Sequence, residues 1–349
     1  MEKTEALLFF SPGFPSDEND STCLPLQQTL ILSMQRQFPE RQIIICSFHY
    51  PHRREQYSWH GIPVISFHGG YKGGLYRCRL WSRLKKALLP FEKLYAFKGI
   101  ISFFCGESAL FAKWYSNKTQ TPFVSWILGQ DARDSNSFIK RIKPKPEELV
   151  ALSEFIRDEF EKNHQIKPAH IIEPGIEPGL FGEKPAQRNI DILAAGSLIP
   201  LKRYELFVDI VRRISQDIPG LKVTLAGKGP EEKDILFAIR KAGLKDTITL
   251  CGELSQQELY VAMQSSRLFL HTSSYEGYGM VCLEASYAGA TVISFTRPME
   301  TLSPNWHVAK TPDDMVRMAV SFLRQPRPAT GGDWKHIDDC AVEFAELFP

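Results

Sequence analysis

The chain has 349 residues, 43% of them hydrophobic and 23% charged, and a net charge of +2. That length exceeds one ordinary core and fits two domains, while the near balance of charge excludes a molecule built as a whole to hold a polyanion. Seven cysteines without a Cys-x-x-Cys pair exclude a disulfide scaffold and a paired-cysteine zinc site, and fit a reducing, cytoplasmic setting. Ala6–Phe10, flanked by Lys3 and Glu5, is too short for a signal peptide. No apolar run approaches the ~20 residues of a spanning helix, so a soluble protein is expected.

In chain order, short apolar runs alternate with amphipathic segments, the pattern of helices covering a parallel sheet. Strands are expected at Ala6–Phe10, Gln42–Phe48, Pro63–Phe67, Gly99–Phe104, Phe123–Leu128, Leu149–Ser153 and His170–Pro174, with a helix over Leu24–Gln37. The Pro- and Gly-rich stretch from Glu173 to Asn189 reads as a junction. Alternation then restarts, with strands at Ile190–Ala195, Lys222–Ala226, Ile248–Cys251, Leu268–Thr272 and Thr291–Phe295. Helices fall between them at Tyr204–Gln216, Glu231–Lys241, Ser255–Ser265 and Met280–Tyr287. Ser255 and Glu258 form a capping box at one helix start. The expected organisation is two Rossmann-like, doubly wound α/β domains facing a cleft, over 1–180 and 187–325. A terminal helix over 333–349 follows.

The chemistry concentrates in HTSSYEGYGMVCLEASYAGATVIS, from His271 to Ser294. Gly277 and Gly279 flank Tyr278 in a turn that lets backbone amides approach a ligand closely. The helix behind them offers free N–H groups and a positive dipole end for phosphate. Glu284, about one turn into that helix, is suited to two ribose hydroxyls, and Glu276 on the loop to a sugar.

This Glu276-x7-Glu284 spacing around Gly-Tyr-Gly resembles the signature of the retaining glycosyltransferases of family four (glycosyl transferases group 1), which have the GT-B fold. AAGSLIPLKRYELFVDIV, from Ala194 to Val211, resembles that family's first strand, its glycine loop at Gly196 and its phosphate-binding lysine, here Lys202. The resemblance implies Lys202 on the donor diphosphate, Gly277, Tyr278 and Gly279 beside it, Glu276 on the transferred sugar and Glu284 on the ribose. It implies a retaining transfer from a nucleotide sugar, held by the 187–325 domain, to a glycan or lipid-linked acceptor on the side of the 1–180 domain in polysaccharide biosynthesis, with the 333–349 helix returning to the first domain and no cofactor beyond the donor. The lack of any metal-ligand cluster in the sequence predicts that the transfer is metal-independent. Ser197 stands where the family often has Arg. Leu128-Gly129-Gln130-Asp131 replaces its N-terminal His-Gly, which makes Asp131 the polar catalytic candidate on that loop. These departures keep a second reading open, a nucleotide-sugar-binding protein with impaired catalysis; a glycoside hydrolase using Glu276 and Glu284 is a third.

Several motifs lead elsewhere. Gly227-x-Gly229 continues to Glu232 and is no dinucleotide fingerprint. Asp-x-Asp, the metal–diphosphate motif of another glycosyltransferase fold, does not occur. HGGYKGG, from His68 to Gly74, is no P-loop and reads as a flexible loop. His271 reads as a half-buried structural histidine. The stretch from Tyr76 to Lys98 carries seven Lys or Arg residues among Leu80, Trp81, Leu84, Leu88 and Leu89. Two readings stand for it: a helix packed on its sheet, or peripheral contact with anionic lipid at the inner membrane face. No nucleic-acid partner is expected.

Overall fold

The computed structural model describes residues 3–183, 188–299, 303–325 and 334–348. The chain divides into two compact units, Met1–Gly175 with Lys335–Pro349, and Ile176–Trp334. The expected domain start at residue 187 and the expected helix start at Asp333 lie outside the described residues.

The first unit is wound on β1 (Thr4–Gly13), whose apolar residues are buried on both faces. It continues through α1 (Pro25–Gln37), β2 (Gln42–Tyr50), β3 (Glu55–Trp59), β4 (Ile62–Ser66), α2 (Leu75–Leu94), β5 (Tyr95–Phe103) and α3 (Glu107–Thr119). Then follow β6 (Phe123–Ile127), α4 (Ile139–Ile142), β7 (Leu149–Ala151), α5 (Glu154–His164) and β8 (His170–Ile171). The sheet order is β3-β4-β2-β1-β5-β6-β7-β8, parallel except for the β3–β4 hairpin. That hairpin turns at His60 and Gly61, both with positive φ (48° and 80°), as a two-residue turn matching strand twist requires. β3 is a short edge strand, half exposed and without an apolar run, which is why pattern reading passed over it.

Basic helix α2 lays Leu80, Leu84, Leu88 and Phe91 into the core. Leu75, Leu89 and Leu94 remain exposed beside Arg79, Lys86 and Lys93. The terminal segment α11 (Ile337–Glu346) packs on α1: Ser33 Oγ donates to Asp338 at 2.6 Å, and Arg36 pairs with the same carboxylate at 2.5 Å. A side chain at Gly99 of β5 would meet the Phe348 ring at 2.4 Å, so a glycine lets the C-terminus seat there.

The second unit runs β9 (Ile190–Ala195), α6 (Tyr204–Asp217), β10 (Val223–Ala226), α7 (Glu232–Lys241), β11 (Ile248–Gly252) and α8 (Gln256–Gln264). It closes with β12 (Ser266–His271), α9 (Met280–Tyr287), β13 (Thr291–Ser294), β14 (Trp306–Val308) and α10 (Pro312–Arg324). All of its strands are parallel, in the order β11-β10-β9-β12-β13-β14. Ile192, Leu225, Leu268 and Ile293 from four strands meet Phe207, Val211 and Ile214 of α6 in one buried cluster. The Ser255 capping box is formed: the Glu258 amide donates to Ser255 Oγ at 3.3 Å, and Glu258 accepts from the Ser255 amide at 2.8 Å. Both units are Rossmann-like parallel sheets with helices on their faces, the fold class expected. No helix among the described residues is long and apolar enough to cross a membrane.

Candidate functional site

The site in the second unit begins where β9, β10 and β12 end. Gly196 leaves β9 with φ +146° and Gly227 leaves β10 with φ +153°. A Cβ on Gly227 would stand 2.0 Å from the Gly196 carbonyl, and one on Gly229 would stand 2.4 Å from that of Leu198. The two strand-end loops are therefore packed backbone to backbone, which only glycine permits. The Gly227-x-Gly229 pair thus buttresses the loop that carries Lys202.

That loop makes a single 3₁₀ turn, Pro200–Lys202, and Arg203 enters α6 in the left-handed region at φ 56°. The loop after β12 is tied to it. Thr272 Oγ1 donates to the Lys202 carbonyl at 2.8 Å, and the Ser274 amide donates to that of Leu201 at 3.1 Å. These bonds bring two residues 74 apart in sequence together: Lys202 Nζ donates to Glu276 Oε1. His271 Nε2 lies 2.7 Å from the same oxygen. Lys202 and Glu276 are 16% and 15% exposed, so the pair is mostly withdrawn from water. Burial by itself pushes Glu276 upward, but the His271 hydrogen bond and the Lys202 charge outweigh it and hold the carboxyl at about 2. Burial lowers His271 against the opposing pull of Glu276, so the neutral ring donates from Nε2. The half-buried structural histidine of the sequence reading is thus a direct partner of Glu276.

Gly277-Tyr278-Gly279 leads into α9. Gly279 takes φ 76° immediately before it, and a Cβ there would lie 3.1 Å from the Trp306 ring. Tyr278 is only 5% exposed, so its side chain belongs to the core and the turn offers backbone rather than the phenol. Glu284 projects from α9 toward α8, where Tyr260 donates its hydroxyl to Oε1 at 3.0 Å. Gln256 Nε2 donates to that hydroxyl at 2.8 Å, and Phe181 stacks on the Tyr260 ring at 4.2 Å. Burial raises the Glu284 carboxyl to about 7, against the opposing effect of the Tyr260 bond. Tyr260 escaped the sequence reading because nothing local to a tyrosine one turn past a helix cap shows what its ring reaches.

Asp131 lies in the first unit, after β6. Its carboxylate accepts the amides of Cys105, Leu128 and Gly129 at 2.9, 3.0 and 2.8 Å. The side chain is buried, lines a cavity of the first unit and knits two strand-end loops together. Burial raises its pKa and the amide bonds oppose that rise.

In sequence, residues 181–301 match the family model of glycosyl transferases group 1, about a third of the chain. The second unit is a domain of that family. The chain is 24% identical to the phosphatidylinositol N-acetylglucosaminyltransferase gpi3 subunit of Schizosaccharomyces pombe over 56% of its own length and 44% of that protein's. It is 26% identical to the MMP alpha-(1->4)-mannosyltransferase of Mycolicibacterium hassiacum over 54% and 48%. The chain thus spans about half the length, or less, of the curated relatives it matches. In structure it resembles Anabaena HepE, solved in complex with UDP and glucose, with a TM-score of 0.69 and 16% identity over 98% of this chain and 95% of that one. That likeness shows the fold: two Rossmann-like domains in one chain, the GT-B class.

Proposed function

We propose that this chain, whose second unit is a glycosyl transferases group 1 domain, is a retaining glycosyltransferase that moves a sugar from a nucleotide donor to a glycan or lipid-linked acceptor. One observation carries the reading: the glycine-buttressed loops set Lys202, Glu276 and His271 in one cluster beside the Gly277–Gly279 turn that opens α9. Lys202 and the amides of that turn meet the diphosphate, whose charge grows as the glycosidic bond breaks. Glu276 spends Oε1 on Lys202 and His271. Its Oε2 turns to a hydroxyl of the transferred sugar, and the low pKa keeps it an acceptor at every working pH. Glu284 takes the ribose hydroxyls. In a retaining transfer the diphosphate leaves and the acceptor attacks on one face, and the departing phosphate oxygen takes the acceptor proton. Lys202 supplies the positive charge that another fold draws from a metal. Asp131 takes no part in catalysis in this reading, since backbone amides occupy it.

A thermal-shift panel of UDP-, GDP- and ADP-sugars tests this directly. One donor class should raise Tm by several degrees when present far above its Kd. Transfer from that donor should continue in excess EDTA and give a product of unchanged anomeric configuration by NMR. Stabilisation without turnover on any acceptor would favour the impaired binding protein, and cleavage of a nitrophenyl glycoside without nucleotide would favour the hydrolase. Loss of transfer on chelation, restored by Mg²⁺, overturns the role given to Lys202.

The setting we propose is cytoplasmic, with α2 resting on an anionic membrane surface. Its buried leucines take one face, and the opposite stripe carries Arg79, Arg83, Lys86 and Lys93 between exposed Leu75 and Leu94. Two other cations on the helix are engaged: Arg77 pairs with Glu107, and Lys85 sits 4.1 Å over the Trp114 ring. The protein should co-sediment with phosphatidylglycerol vesicles and be released by salt. Changing Arg79, Arg83 and Lys86 to Ser should weaken this by on the order of 100-fold, at about 1 kcal/mol per basic residue. Equal sedimentation of parent and variant leaves α2 a packing helix only.

A further inference from the structure

Tyr204 opens α6, directly after Arg203 in its left-handed conformation. Its side chain is 3% exposed, and the ring packs edge-on to Phe207 at 6.3 Å inside the cluster that holds α6 to the sheet. A tyrosine buried this deeply ordinarily gives its hydroxyl a hydrogen bond. The Tyr204 hydroxyl has no partner among the described residues.

Gly196 shows where that oxygen points. A Cβ built on the glycine would stand 3.1 Å from the Tyr204 hydroxyl and 3.5 Å from Lys202 Cε. Such a spot is crowded for a carbon, but an oxygen entering it comes within hydrogen-bond reach of the phenol. The glycine at the end of β9 thus keeps side chains out of a space walled by the phenol and the lysine stem. Backbone amides of the same loop are engaged elsewhere. Gly196 N–H donates to the Ala226 carbonyl at 3.0 Å, and Leu198 N–H to that of Lys228 at 3.0 Å. Burial, and after it the Glu276 charge, push the Tyr204 phenol upward from its ordinary value, so it holds its proton at neutral pH. A protonated hydroxyl beside the Lys202 ammonium is a second donor aimed at the same place.

We propose that Tyr204 is a catalytic residue of this site, its hydroxyl donating to a diphosphate oxygen that Lys202 draws in beside Gly196. That the diphosphate belongs to a sugar donor rests on the transferase reading; that an anionic oxygen is held here rests on the two donors and the glycine. The occupant accepts from a phenol and lies beside an ammonium, which a phosphate oxygen satisfies twice. A neutral hydroxyl would also accept, but gains less from the ammonium. A cation has no lone pair for the phenol. The phenol adds no charge next to Lys202, and its hydrogen bond strengthens as negative charge gathers on the leaving diphosphate. It keeps its proton throughout, since the acceptor's proton goes to the departing phosphate oxygen.

Tyr204→Phe removes the hydroxyl and leaves the packed ring. Because that oxygen has no partner in the fold, the variant should melt at or above the parent's Tm. Its kcat/KM for transfer should nevertheless fall roughly 10- to 150-fold, mainly in kcat. A residue that only packs would not lose function while keeping stability. Calorimetry on the full chain, with UDP, GDP, ADP and inorganic pyrophosphate as probes, reads the same contact without catalysis. The probes that the parent binds should bind the variant about tenfold more weakly. Placing 3-fluorotyrosine at Tyr204 keeps the ring and makes the hydroxyl a stronger donor, so these probes should bind at least as tightly as to the parent. Three results overturn the proposal: a folded Tyr204→Phe that binds like the parent, a fluorinated chain that binds more weakly, or a parent that binds none of the four probes. If the probes bind through Tyr204 but no acceptor receives sugar, the transferase reading fails and the anion contact stands. If Tyr204→Phe transfers sugar as fast as the parent, the transferase reading stands and Tyr204 has no part in it.

Discussion

Glu276→Gln is expected to lower transfer on the order of 100-fold or more while binding the donor's nucleoside diphosphate at least as tightly as the parent. The bare nucleotide has no sugar for Glu276 to hold. This carboxylate engages Lys202, so an incoming diphosphate has to draw the lysine away. A neutral glutamine releases Lys202 and removes a negative charge beside the phosphates, and up to about tenfold tighter nucleoside diphosphate binding follows, worth about 1.4 kcal/mol. The same change costs stability with a particular pH dependence. The folded carboxyl titrates at about 2, below its ordinary 4.5, so between those values the unfolded chain holds more protons. Stability from this cluster is therefore complete above about pH 4.5 and is lost as pH falls toward 2. The shift corresponds to about 3 kcal/mol at most, at 1.36 kcal/mol per unit. Urea unfolding should show the variant less stable than the parent at pH 7 and equal to it near pH 2. A variant that loses the nucleoside diphosphate while keeping turnover would remove Glu276 from the sugar.

The candidate cluster was legible because its residues are local in the chain. His271 to Glu284 spans one strand end, one turn and one helix, so Glu276, Gly277, Gly279 and Glu284 could be singled out together from the sequence. Most core strands were legible for a related reason: strands covered on both faces read as unbroken apolar runs, as Ile43–Cys46 does in β2. β14, three residues long at the edge of its sheet, carries no such run. What stayed hidden is long-range. The backbone partners of Asp131 were invisible in the sequence because the Cys105 amide belongs to a loop 26 residues away. His49 and Glu107 are joined only by the order of strands in the sheet, and the glycines of HGGYKGG look like freedom until the loop is seen resting on His49. Sequence shows that Gly69 can bend closely; only the fold shows against what.

Glu284→Gln is expected to strengthen the fold at alkaline pH and to weaken nucleotide binding, two effects of one carboxyl. Its folded pKa of about 7 lies above the ordinary 4.5, so between these values the folded protein holds more protons than the unfolded chain. Stability therefore declines as pH rises through that window and levels off above about 7. The full shift would be about 3 kcal/mol, and the partial exposure of Glu284 brings the expected gain of the variant to about 1–2 kcal/mol at pH 8, vanishing near pH 4.5. Glutamine still accepts from the Tyr260 hydroxyl, so the α8–α9 contact survives. Ribose hydroxyls, by contrast, need the charged acceptor. The nucleoside diphosphate and the intact donor should both bind roughly 10- to 150-fold more weakly to the variant. In the parent, Kd should fall as pH rises through about 7, because Glu284 has to shed its proton to accept two hydroxyls. Phosphate ionisation contributes in the same range, so the informative quantity is the ratio of variant to parent Kd, measured from roughly pH 5.5 to 8.5. That ratio should climb through neutrality and flatten above it. Tyr260→Phe, which removes the one bond that lowers Glu284, should move the climb to higher pH. A ratio flat across the whole range would mean that Glu284 does not hold the ribose as a carboxylate.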